Sequence, residues 1–162
     1  MCARIRTVRG LEGRDMRCVR GTGYALWRLG EALGRLDEVR FVLTRSKDAA
    51  GYTRSRTTAI LRRWRVPAAV IGDTQLAVSE LVSNAVTHGE DPLDVRLTLM
   101  RESVRISVHD GNPVPPRVRT PSPGGLSGGR GLRIVAAVSE RWGYATTRRG
   151  KNVWCELSLG TG

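Results

Sequence analysis

Three polar residues, Glu80, Asn84 and His88, stand four residues apart in a stretch that is otherwise rich in apolar side chains. The apolar residues between them recur at helical spacing, which predicts a buried amphipathic helix. Each step of four residues turns by only about 40° around a helix, so the three polar side chains project from one side. They need partners there, because burying polar groups without hydrogen bonds is costly.

Two interpretations of this polar stripe are open. In the structural one, Glu80 and Asn84 lie at a sheet boundary and pair with nearby arginines, while His88 is a structural residue at a helix end. In the chemical one, Asn84 offers a neutral oxygen to Mg²⁺, a cation that keeps several waters and takes few protein ligands. Glu80 would then act as a general base.

A second candidate is the carboxylate of Asp110, which is predicted to end a strand and is followed by Gly111, Asn112 and Pro113. Aspartate before Gly-Asn is common in turns, so one interpretation is that Asp110 is only a turn residue. The other interpretation is functional, because a carboxylate at a strand end can accept a hydrogen bond from the exocyclic amine of a nucleotide base.

A glycine-rich run from 124 to 131 leads directly into a predicted helix. Glycines at a helix N-terminus let backbone N–H groups approach an anion, and the helix dipole favours negative charge there. The run is not a P-loop, because the pattern GxxxxGK[ST] is absent from the chain. It is not a dinucleotide-binding fingerprint either, because Ile134 stands where the last glycine is needed and a loop precedes the run.

The elements that must position these residues follow from periodicity and from residues that start or end helices and strands. Helices are predicted over 46–65, which Pro67 ends, over 73–88, with Asp73 as N-cap and Gly89 as C-terminal cap, and over 130–139. Strands are predicted over 40–44, 94–100, 104–108, 142–147 and 152–159. Strands joined by hairpins, with helices collected between them, indicate an α+β fold with helices on one face of a mixed or antiparallel sheet.

Residues 41–160 are predicted to form the main domain, and residues 1–40 a basic N-terminal extension. Within the extension, residues 1–22 lack a sustained period and are expected to be poorly ordered, whereas 23–39 are expected to form a short helix. Residues 111–129 hold five of the seven prolines and five glycines. A loop of this length inside a compact domain is typically a lid, a binding loop or a linker.

The net charge of +12 raises the question of nucleic acid as a partner. Residues 1–66 carry a net +10 and residues 67–162 only +2, so the basic excess lies mostly away from the polar stripe. An arginine-rich solvated surface is therefore the favoured interpretation, and nucleic-acid binding through the first third of the chain is the less favoured one.

The chain has no apolar run long enough to cross a membrane and no secretory leader, so we expect no membrane association. Three widely spaced cysteines without a CxxC pair indicate a reducing cytoplasm rather than a disulfide framework or a zinc site.

Taken together, the order and spacing of these features resemble the histidine-kinase-like ATPases. Within that family, the chain looks most like the small stand-alone bacterial anti-sigma-factor serine/threonine protein kinases. The resemblance covers residues 41–159, and the strings that carry it are SELVSNAVTHG, HDGNP, GGRGLRIV, RWG and GKNVWCEL.

The resemblance implies a two-layer sandwich in which ATP and Mg²⁺ lie between helices and a lid at residues 113–128. It implies that Glu80 is the catalytic general base and that Asn84 binds Mg²⁺. It also implies a role for Asp110 as the acceptor for adenine. The remaining nucleotide-binding positions that it implies are His88, Asn112, Gly128, Gly129, Arg130, Gly131 and Leu132.

Partners are implied by the same resemblance. Such proteins sequester a sigma factor and phosphorylate a serine or threonine of an antagonist protein, and the family commonly forms homodimers. The chain departs from the family pattern at Asn112, which takes the place of a glycine, and at Asn152, where threonine is frequent. The alternative is a regulator that binds nucleotide and partners without transferring phosphate.

Overall fold

The computed structural model describes residues 5–8, 35–116 and 130–160, and the structure is discussed for these ranges alone. They form three helices and six strands. The helices are α1 (Ala49–Arg63), α2 (Ala68–His88) and α3 (Gly131–Val138). The strands are β1 (Ile5–Val8), β2 (Arg35–Leu43), β3 (Leu93–Met100), β4 (Ser103–Asp110), β5 (Arg141–Thr147) and β6 (Gly150–Ser158).

The six strands form one sheet in the order β1-β5-β6-β4-β3-β2, and every pairing between these described strands is antiparallel. The helices pack on one face of the sheet, with α2 against β4 and β6 and between α1 and α3. The predicted α+β sandwich is confirmed.

The core lies between the sheet and α2. Register places Leu97, Ile106, Cys155 and Trp142 side by side across four strands, and all four side chains are buried. These residues face α2, because they belong to one core cluster with its buried residues. Side chains alternate between the two faces of a strand, so their neighbours in sequence face the other way. On α2 the residues buried against this row recur at helical spacing: Ala77, Val78, Leu81, Val82 and Ala85.

The start of α2 differs from the prediction. The helix begins at Ala68 with Pro67 at the N-cap position, so Asp73 is an exposed residue inside the helix and not its cap. The reason is the tight turn after α1, in which Arg65 has a φ of 58° and the N–H of Val66 donates to the carbonyl of Leu61. Proline is compatible with a helix start because its missing N–H would have no partner there.

The predicted helix over 23–39 is wrong for residues 35–39. These residues belong to β2, where Val39 pairs with Leu97 and Asp37 with Leu99. β2 therefore runs across the boundary predicted at residue 41. Residues 5–8, expected to be poorly ordered, pair as β1 with β5. Among the described helices, none combines the length and apolarity that a membrane crossing requires.

Candidate functional site

The polar stripe lies along one edge of the second half of α2. Glu80 and Asn84 are half-buried, and His88 is exposed as the last residue of the helix. The side chains of all three make no hydrogen bond or ion pair with any residue that the structure describes. The pairing with nearby arginines that the structural interpretation required is therefore not found within the described ranges.

The N-terminus of α3 packs directly onto two of these side chains. Gly131 is the first residue of α3 and is buried. A Cβ at this position would lie 2.8 Å from Oε2 of Glu80 and 3.0 Å from Nδ2 of Asn84, so a larger residue does not fit without a shift. The N-cap residue, Arg130, makes no side-chain capping bond. Within the part of the chain that the structure describes, the first turn of α3 thus presents backbone N–H groups without a side-chain cap close to Glu80 and Asn84.

Asp110 is the last residue of β4, as predicted, and its carboxylate is buried. Oδ1 accepts a hydrogen bond from the backbone N–H of Asn112 at 3.0 Å and another from Nζ of Lys151 at 2.8 Å. Gly89, at the C-cap of α2, allows close approach, because a Cβ there would lie 2.6 Å from Cγ of Asp110. One carboxylate oxygen is therefore engaged, and Oδ2 has no hydrogen-bond partner among the described residues.

Lys151 is a buried member of the site that the sequence-based prediction missed. It stands opposite Asp110 in the register of β4 and β6, and its Nζ also donates to the carbonyl of Asn112 at 3.2 Å. The preceding Gly150 has a φ of +135°, and a Cβ on it would lie 2.0 Å from the carbonyl oxygen of Asp110. The one available signal was the placement of Lys151 in the GKNVWCEL string.

Asn112 has a structural role at the end of α2. Its Nδ2 donates to the carbonyl of His88 at 2.9 Å, and its Oδ1 accepts from the N–H of Val114 at 2.9 Å. The side-chain amide is thus engaged at both ends. It ties the start of the proline-rich segment to the last turn of α2.

These groups surround a cavity of about 370 Å³ between α2, α3 and the two strands β4 and β6. Apolar side chains contribute much of its wall, and polar groups converge on it from several elements. This combination is typical of small-molecule sites. The lining residues are Leu81, Asn84, Ala85, His88, Val108, Asp110, Asn112, Val114, Pro115, Pro116, Leu132, Lys151 and Val153.

Five of the predicted nucleotide-binding residues line this cavity: Asn84, His88, Asp110, Asn112 and Leu132. Glu80 and Gly131 are not among the described lining residues, and a Cβ on Gly131 would lie 2.8 Å from Oε2 of Glu80. Arg130 is exposed and is not among the lining residues, so the structure does not bring it to the described part of the cavity. Gly128 and Gly129 lie outside the described residues, as does most of the predicted lid.

Acidic, histidine and cysteine side chains do not cluster in threes as a metal site within the described ranges. The oxygen-bearing side chains of the site suit Mg²⁺ only in its usual coordination, in which one or two protein oxygens complement waters and phosphate oxygens. Asn84 provides one such oxygen, and its side chain is not engaged by another described residue.

Comparison with known proteins assigns the family. A family model described as a histidine kinase-like ATPase domain matches residues 43–156. The chain belongs to this family. The match begins at the last residue of β2, ends in β6 and includes every described residue of the cavity wall. The ATPase domain described here thus has its cavity inside the region that defines the family.

A solved structure supports the same fold. This ATPase domain is similar to a crystal structure of the RsbU and RsbW domains of Rv1364c from Mycobacterium tuberculosis, with a TM-score of 0.59 and 21% sequence identity. The similarity covers 75% of this chain but only 32% of that one, so the ATPase domain spans about a third of the protein that it matches. No curated protein matches the chain significantly.

Proposed function

We propose that this ATPase domain binds Mg-ATP in the cavity between α2, α3 and the sheet. The observation that carries the proposal is the close approach of Gly131 to Glu80 and Asn84. It joins a helix N-terminus whose N-cap residue makes no side-chain capping bond to two polar side chains that no other described residue engages. ATP is proposed as the nucleotide because the chain belongs to a family of ATPase domains.

The phosphates and Mg²⁺ are assigned to the α3 end of the cavity. Helix N-termini bind phosphate through backbone N–H groups and the helix dipole, and the N-cap residue of α3, Arg130, makes no side-chain capping bond that would compete. Asn84 would hold Mg²⁺ through its amide oxygen, and the ion would offset phosphate charge and orient the terminal phosphate. Gly128, Gly129 and Arg130 precede this turn in sequence and are proposed to complete the phosphate site.

The adenine ring of the nucleotide is assigned to the Asp110 end of the cavity. Oδ1 of Asp110 already accepts two hydrogen bonds, so Oδ2 is left to accept from the exocyclic amine of adenine. Apolar residues of the cavity wall, among them Leu132 and Val153, would pack against the purine ring. His88 and Asn112 also line the cavity, and the second of these fixes the segment that follows Asp110.

Phosphoryl transfer to a serine or threonine of an antagonist protein is proposed as the reaction. This transfer depends mainly on positioning and charge neutralisation. Glu80 would accept the proton of the attacking hydroxyl. Sequestration of a sigma factor in the cytoplasm is proposed as the regulatory output, supported by the motifs of the chain and by the fold shared with an RsbW domain.

The test is label transfer from ATP to candidate antagonist proteins, with and without Glu80→Ala. Removing a general base costs about 10²–10⁴ in rate, so the variant should keep Mg-ATP binding and lose transfer by that factor. Glu102→Ala serves as the matched control, because Glu102 is an exposed carboxylate in the β3–β4 turn. Transfer at the wild-type rate in Glu80→Ala would remove the general-base assignment.

A second function is a nucleotide-dependent regulator that does not transfer phosphate. It is favoured by one observation: Glu80 does not line the cavity within the described ranges. Bound ATP would then only set the shape of a protein-binding surface. Tight Mg-ATP binding without label transfer to any antagonist would favour this function over the kinase.

A further inference from the structure

The ion pair of Lys151 and Asp110 is the least expected feature of the cavity wall. Only two of the 27 basic residues in the chain are lysines, Lys47 and Lys151, and the other 25 are arginines. Lys47 is exposed in the loop after β2, whereas Lys151 is buried with its Nζ 2.8 Å from Oδ1 of Asp110. The buried position of Lys151 therefore calls for an explanation other than surface charge.

Stability alone does not explain the pair. Desolvating two charges is expensive, and well-packed apolar residues often replace a buried ion pair without loss of stability. The pair is also incompletely satisfied by the described residues. Nζ has three N–H donors and, within the described ranges, uses two of them, on Asp110 and on the carbonyl of Asn112. Among the described residues, none donates a hydrogen bond to Oδ2 of Asp110.

The unused donor and the unused acceptor belong to two neighbouring residues that both line the cavity. A ligand edge that satisfies both must carry an N–H donor next to a hydrogen-bond acceptor. The amine and N1 of adenine form such an edge. Inosine presents a donor and an acceptor in the reverse order, with N1–H as the donor and O6 as the acceptor.

We propose that Lys151 is a base-recognition residue of this chain, donating a charged hydrogen bond to N1 of adenine while Asp110 accepts from the amine. The assignment rests on the proposed binding of Mg-ATP and deepens it. It makes the base site selective for an amine beside a ring acceptor. A base without that acceptor leaves the ammonium desolvated and one donor short, and such a loss is expensive in a buried site.

The test is a double-mutant cycle that combines a protein variant with a nucleotide analogue. Calorimetric titration compares Mg-ATP with Mg-1-deaza-ATP, in which CH replaces N1, on wild type and on Lys151→Met. Hydrogen bonds to charged groups are worth about 1.5–3 kcal/mol, so wild type should bind the analogue at least about tenfold more weakly. In Lys151→Met that difference should vanish. Lys47→Met is the matched control and should keep the wild-type ratio.

A second readout needs no variant of the site. With lysines labelled by ¹⁵N, the chain has only two side-chain ammonium groups to observe by NMR. The Lys151 signal should shift when Mg-ATP is added and should shift less with the 1-deaza analogue, while Lys47 stays in place. This comparison holds even if Lys151→Met does not fold.

The outcomes separate the two proposals. Equal affinity of wild type for the two nucleotides would overturn the role of Lys151 while leaving Mg-ATP binding intact. Tighter binding of ATP by Lys151→Met would also overturn it, because Lys151 would then compete with the base for Asp110. Absence of any Mg-ATP binding to wild type would instead refute the proposed function, on which this inference rests.

Discussion

Gly131→Ala tests whether the approach of α3 to the polar stripe organises the site. The added Cβ would lie 2.8 Å from Oε2 of Glu80 and 3.0 Å from Nδ2 of Asn84. The first distance is roughly 0.7 Å shorter than the optimum of about 3.5 Å for non-bonded heavy atoms. Both contacts involve the ends of side chains, so Glu80 and Asn84 are expected to move rather than the backbone.

The effect on stability is expected to be small because two terms oppose each other. Overpacking a buried position costs about 1–3 kcal/mol, and alanine gains about 1 kcal/mol over glycine in a helix. The net destabilisation should be about 1 kcal/mol in urea unfolding. The effect on binding should be larger, because displaced Asn84 no longer holds Mg²⁺ in place: Mg-ATP affinity should fall at least about tenfold, in line with the loss of one hydrogen bond to a charged group.

Gly72→Ala provides the matched control. Gly72 is an exposed residue of α2 with nothing within 4 Å of an added Cβ. The substitution should therefore stabilise the fold by about 0.5–1 kcal/mol and leave Mg-ATP affinity unchanged. The reasoning is refuted if Gly131→Ala folds and binds Mg-ATP as tightly as wild type, because the contact between α3 and the polar stripe would then be irrelevant to the ligand.

Three further predictions concern residues outside the cavity wall. Glu156 is buried and paired with Arg105 and Arg141 on the sheet face away from the helices. Glu156→Gln should lower the free energy of unfolding by about 3 kcal/mol in urea denaturation, whereas Mg-ATP affinity measured by titration of the folded variant should be unchanged. Cys155 should resist thiol reagents in a Cys2→Ser/Cys18→Ser background until the protein unfolds, because burial raises the pKa of its thiol. The same raised pKa means that only the unfolded thiol ionises above about pH 8.5, so the free energy of unfolding should fall there with rising pH by about 1.4 kcal/mol per unit, and pH-dependent urea titrations should lose this contribution in Cys155→Ala.

Local patterns predicted the hairpin strands and the central helix well. The alternation of β3 and β4 and the spacing of Leu81 and Ala85 each follow from a period that one element determines by itself. The start of α2 was harder to predict from the sequence, because the turn at Arg65 that precedes it depends on a left-handed backbone conformation at an arginine.

Features that depend on distant pairing were missed. Residues 35–39 end a stretch in which Leu26, Leu29, Leu33 and Leu36 recur at helical spacing, but hydrogen bonding to β3 makes residues 35–39 a strand. Lys151 reaches Asp110 only through the register of β4 and β6, across 41 residues of chain. Asp110 and Asn84 were identifiable because their residue types carry a chemical meaning at a strand end and on a helix face, whereas a lysine after a turn glycine carries none without that register.

The most direct test of the proposed function is calorimetric titration of the wild-type protein and Asn84→Ala with Mg-ATP. Asn84 lines the cavity, lies against the start of α3 and has no described partner of its own, so the site accounts for it only as a ligand residue. We expect saturable binding of one nucleotide per chain to wild type, and binding to Asn84→Ala that is at least about tenfold weaker in the presence of Mg²⁺. Failure of the wild-type protein to bind, or equal affinity in the two proteins, would contradict the assignment of this cavity to Mg-ATP.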